Sequence, residues 1–152
     1  MNSLRWHDFL LMGICVVILI AVTVFFVMNY AKIPDVIPTN FDFQGNVTGT
    51  GGKGNAVFLL VMAWFLPIVL IGTSFFPNLW NIPTVKPQNY GTAIIITRKM
   101  MEAISVLMAF FLGYLLLSMC GLIPMINTVY VIFSVLLAAL IIVPMIFLMR
   151  LK

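Results

Sequence analysis

Four stretches of this chain each run for about twenty residues without a charge, the length a helix needs to cross the hydrocarbon core of a bilayer. They are Phe9–Tyr30, Ala56–Phe76, Ala103–Gly121 and Thr128–Met149. Lipid offers no water to satisfy a free backbone N–H or C=O, so an isolated apolar stretch that spans it must be helical. The expected fold is therefore an all-α membrane protein. Residues 1–152 form a single domain of four transmembrane helices in an up-down bundle. A structured extracytoplasmic loop, residues 31–55, joins the first two helices. Pro67 and Pro144 lie inside the second and fourth spans and predict kinks there.

Composition agrees. Hydrophobic residues make up 63% of the chain and charged residues 8%. A soluble domain carries about 45–50% and about 25% respectively. The net charge of +4 comes from single basic residues placed beside the apolar spans. No basic stripe with interleaved aromatics is present, so no nucleic-acid partner is expected. The charges instead predict orientation. Arg5, Lys86, Arg98, Lys99, Arg150 and Lys152 fall on one side of the four spans, and Lys32 and Lys53 on the other. The side richer in Lys/Arg is the cytoplasmic one. Both termini are expected there, with the first loop facing outward from a bacterial cell membrane.

Chemistry is sparse. His7 is the single histidine, and Cys15 and Cys120 both lie within apolar runs. No Ser-His-Asp or Cys-His set, HExxH or paired-carboxylate signature is present. The expectations are no catalytic residues, no metal, no cofactor and no enzyme activity. Asp8 reads as a favourable charge at a helix N-terminus. Glu102 follows Arg98 and Lys99 at helical spacing, which predicts an interfacial ion pair. Ser105, Ala109 and Gly113 recur every fourth residue on span three, and Ser134 and Ala138 do so on span four. Small residues let membrane helices approach closely. Counted from the turn between the spans, the two sets fall at similar depth, which predicts a tight hairpin of spans three and four.

The first loop has the most shape. It opens on Pro34-Asp35-Val-Ile-Pro38, passes through Asn40-Phe41-Asp42-Phe43, and carries Gly45, Gly49, Gly51 and Gly52 before Lys53. The prolines stiffen its start, the Asn-Phe-Asp-Phe alternation reads as a short strand, and the glycines permit tight turns.

This loop resembles the SdpI-type family of bacterial membrane proteins, in the N-terminal domain of unknown function that they carry. The shared positions are Pro34-Asp35, Ile37-Pro38, Phe41, Gly45, Gly49, Gly51 and Lys53. Weaker likenesses follow at Trp80-Asn81-Ile82-Pro83, Asn89-Tyr90 and Arg98-Lys99-Met-Met. Asn40 stands where the family has His, Asp42 where it has Asn, Thr48 where it has Asp, and Gly52 where it has Ser. Longer SdpI proteins carry further spans. The resemblance implies an immunity or signalling role, in which the outer loop binds an extracellular peptide toxin. Pro34, Asp35, Pro38, Asn40, Phe41, Asp42, Gly45 and Lys53 are the ligand-binding residues this implies. Asp35 and Asp42 would pair with a cationic peptide, and Phe41 and Phe43 would meet its apolar face. Two other roles fit the same residues: an accessory subunit of a membrane complex, and a small transporter or channel built as a homo-oligomer. Partners beyond the lipid bilayer are thus an extracellular peptide, a second copy or another membrane protein.

Overall fold

The computed structural model describes residues 6–42, 44–80 and 85–151. Arg5, Phe43, Asn81-Ile82-Pro83 and Lys152 lie outside the described residues. Among the described residues, four helices are long and apolar enough to cross a membrane. The chain is accordingly a multi-pass membrane protein. The helices are α1 (Trp6–Asn29), α2 (Gly54–Ser74), α3 (Tyr90–Met119) and α4 (Asn127–Arg150). Between α1 and α2 the chain forms a β-hairpin of β1 (Val36–Phe41) and β2 (Val47–Gly52), paired antiparallel. α2 and α4 continue as helix through Pro67 and Pro144.

Helix α3 is the organiser, touching α1, α2 and α4. It begins at Tyr90, well before the apolar window opens at 103. Residues 90–102 contain no proline to stop a helix, and they bury Ala93, Thr97, Arg98 and Glu102. Thr97 and Arg98 are adjacent, and each lies four or five residues from Ala93 and from Glu102, which keeps the set on one side of the helix. Hydropathy alone cannot see such an extension, because its buried side is partly charged.

The stripe Ser105, Ala109, Gly113 is buried, but the helix it receives is α1 and not α4. Cys15, Leu19 and Ala109 form one cluster, and the Cys15 thiol lies 3.7 Å from the Ser105 carbonyl oxygen. A Cβ on Gly113 would sit 2.6 Å from Val22 Cγ2. Ser134 and Ala138 of α4 are exposed. The expected small-residue seam between spans three and four is thus corrected. α4 is held on α3 by aromatic rings instead: Phe111 stacks on Phe133 at 3.7 Å and meets Tyr130 edge-on at 5.6 Å. Two small stripes at equal depth do not have to meet. The closest approach goes to the helix whose side chains fill the groove, and Val22 fills it from α1.

The turn from α3 to α4 closes on Gly121, whose φ of 69° is left-handed. Leu122 N–H donates to the Leu117 carbonyl and Gly121 N–H to the Ser118 carbonyl, a glycine-terminated helix end. Tyr114 Oη then accepts the Ile126 N–H at 2.6 Å and positions the start of α4. At the other end of the bundle, Lys86 N–H and Asn89 Nδ2 both donate to the Leu151 carbonyl. The hairpin and the α3–α4 turn share one end, and the α2–α3 connection and the end of α4 share the other.

Candidate ligand-binding site

The hairpin is fastened to its end of the bundle by its own apolar residues. Ile33 and Ile37 are buried against Phe26 of α1, Ala56 of α2 and Leu116 and Met119 of α3. Each such side chain contributes about 1.5–3 kcal/mol relative to exposure. Lys53 locks the base. Its Nζ donates to the Ile33 carbonyl at 3.0 Å and lies 4.1 Å from the Tyr30 ring centroid. Its backbone N–H donates to the Asp35 carbonyl at 2.9 Å.

The tip is built by Asp42. One carboxylate oxygen accepts the Gln44 and Asn46 backbone N–H groups, each at 2.8 Å, and the other accepts Asn46 Nδ2 at 2.8 Å. The Asn46 side chain foremost, with these backbone donors, holds the Asp42 carboxyl below its ordinary pKa. Gly45 supplies the left-handed residue of the turn, with φ 87°. Gly49, Gly51 and Gly52, expected as turn residues, lie in β2 instead. Gly49 lies under Asn40, whose Nδ2 would stand 2.8 Å from a Cβ there, so the missing side chain serves close approach. The tip touches α4: Asn127 Nδ2 donates to the Gln44 carbonyl.

Between the hairpin and the α3–α4 pair lies a cavity of about 840 Å³. Thr39, Asn40, Phe41, Asp42 and Gly45 line it from the hairpin, and Leu115 and Met119 from α3. Met125, Asn127, Tyr130, Val131, Ser134 and Val135 close the remaining side. Four of the eight expected ligand-binding residues, Asn40, Phe41, Asp42 and Gly45, are brought together on this wall. The other four are placed elsewhere. Asp35 and Pro34 are exposed at the hairpin base, Pro38 sits in β1 opposite Thr50, and Lys53 is occupied by Tyr30 and Ile33. Ser134, expected as a packing residue, is a cavity residue. Sequence reasoning missed Tyr130, whose hydroxyl is buried with no hydrogen-bond partner among the described residues. Asn127 was missed as well. A polar residue directly after the α3–α4 turn was the available signal for it.

A second polar cluster sits near the opposite end. Asp8 of α1 and Glu102 of α3 are both buried. Lys99 bridges them, pairing with Asp8 and with Glu102 at 3.0 Å. Arg98 Nε donates to the Ser74 carbonyl of α2 at 3.3 Å. The expected pairing within α3 is present, but it extends to α1, and Asp8 serves as an interhelical partner. Among the described residues no group of His, Cys, Asp and Glu is arranged to hold a metal ion.

No curated protein and no solved structure matches the chain. Residues 17–71, which take in most of α1, the whole hairpin and most of α2, match the family described as Domain of unknown function (DUF1648).

Proposed function

We propose that this protein binds an extracellular ligand in the cavity between the hairpin and α4, in an SdpI-like immunity or signalling role at a bacterial membrane, with a peptide toxin as the ligand. The observation that carries this is the cavity itself. A loop that only connected two spans would have no reason to combine with a third and fourth helix around about 840 Å³ of space. That volume falls in the range of ligand sites. The match to the domain of unknown function falls on the segment that holds the hairpin. On this reading both termini are cytoplasmic and the hairpin faces outward.

The test is survival of a toxin-sensitive bacterium that expresses the protein and is challenged with a secreted cationic peptide toxin. Phe41→Ala and Asn127→Ala should remove protection, whereas Asp35→Ala, outside the cavity, should leave it intact. Protection equal to that of cells lacking the protein would sink the proposal.

A second reading, an accessory subunit, draws on α4. Leu148 is its one buried residue among those described, which leaves a long apolar face for another membrane protein. Purification in mild detergent would support it by returning a stoichiometric partner.

A further inference from the structure

Thr39, Asn40, Phe41 and Asp42 are consecutive, and all four line the cavity. One face of a strand presents every second residue. Here the first three belong to β1 and Asp42 to the turn, and the register against β2 shifts between Pro38 and Asn40 and again between Asn40 and Phe41. Such an irregularity breaks the alternation and lets consecutive residues line one side of the strand. The hydrogen-bond alternation agrees. Asp42 N–H donates to the Asn46 carbonyl, so this pair is of the hydrogen-bonded class. The next pair, Phe41 with Val47, is then of the other class, and the Phe41 N–H and C=O point away from β2. Among the described residues, nothing in Val36–Phe41 makes a backbone hydrogen bond outside the hairpin. Beyond the register shift the alternation is set by the Lys53 N–H to Asp35 carbonyl bond, which turns Pro38 toward the same edge, and having no N–H it blunts the first half. The cavity begins just beyond it, at Thr39.

We infer that the cavity takes an extended peptide segment as a third strand on the open edge of β1, with its apolar side chains against Met119 and Val131 and a basic side chain at Asp42. This rests on the reading of the cavity as a ligand site and names its mode of recognition. Size agrees. A strand occupies about 4.8 Å by about 10 Å in section and rises about 3.3 Å per residue, so about five residues fill the space. Charge agrees as well. Among the described residues, Asp42 is the one charged residue lining the cavity, and no Lys, Arg or His lines it. A basic peptide is complementary there, and an acidic one is repelled. Backbone pairing supplies affinity in this mode, and the side-chain pockets supply selectivity.

The experiment pans a random synthetic pentapeptide library against the full chain in lipid nanodiscs. Recovered peptides are then remade with N-methyl groups on alternate amides. The expected result is enrichment of peptides that combine a basic residue with apolar ones. N-methylation should weaken binding about fivefold to tenfold per lost hydrogen bond. Asp42→Asn should abolish the preference for the basic residue, and hydrogen exchange at the Phe41 amide should slow on binding. Peptides that bind equally well when methylated, with Phe41 exchange unchanged, overturn the strand addition and leave the cavity a ligand site. Failure to recover any peptide that saturates overturns both.

Discussion

Two residues of the hairpin tip make sharp predictions. Gly45 is left-handed and lies against the Asn127 side chain, so Gly45→Ala combines backbone strain with a collision. Strain of this kind costs about 1–3 kcal/mol, and thermal unfolding in nanodiscs should report the loss. Asp42 predicts a pH response. Its pKa in the folded protein is lowered, chiefly by the Asn46 side chain and then by backbone donors. The stabilisation it gives is therefore complete above the ordinary carboxylate range. It disappears as pH falls through the lowered folded value. Amide chemical shifts of Gln44 and Asn46 should move through that acidic window, and Asp42→Asn should flatten the titration.

At the scale of elements, the two small-residue stripes can be told apart. Gly113→Leu drives a side chain into Val22 and should cost about 1–3 kcal/mol. Ser134→Leu and Ala138→Leu project from an exposed face and should stay within about 0.5 kcal/mol. Equal losses at the three positions would restore a seam between α3 and α4. The link between α1 and α3 is electrostatic near its polar end. Lys99→Ala leaves the buried carboxylates of Asp8 and Glu102 without their shared cation. Because Lys99 is itself partly exposed, the expected cost is about 2–4 kcal/mol, toward the lower part of the range for a broken buried pair. A triple change to Asp8→Asn, Lys99→Met and Glu102→Gln should recover much of it. Midway along the helices, Trp64 Nε1 donates to Thr23 Oγ1 at 2.9 Å and ties α2 to α1.

At the scale of the molecule, α1, α2 and α3 pack closely, and α4 leans on them through a few contacts near its ends. These include the Phe111–Phe133 stack, the Asn127–Gln44 contact at the hairpin tip and the Leu151 carbonyl at the far end. Local stability follows local packing. Hydrogen exchange should therefore be fastest in α4, and Phe111→Ala should speed it there selectively, with α1 and α3 little changed. The same change should loosen the cavity, since α4 forms much of its wall. Exchange in α1 as fast as in α4 would exclude a core of α1, α2 and α3.

Read from the sequence, the four spans follow from one quantity, the length of apolar chain against the thickness of a bilayer. That argument needs no knowledge of contacts, because lipid compels a helix whatever its neighbours are. The shaped loop could be read too, since Pro38, the Asn-Phe-Asp-Phe alternation and Gly45 carry local conformational demands. Half of its expected binding residues lie away from the cavity, because strand edge and hairpin base look alike until the strands are paired. The tertiary structure alone decided the rest. In lipid no hydrophobic force sorts one helix face from another, so shape chose α1 as the partner of the Ser105, Ala109, Gly113 stripe. Residues far apart in sequence, Asp42, Met119 and Tyr130, share a cavity only because α4 returns beside the hairpin.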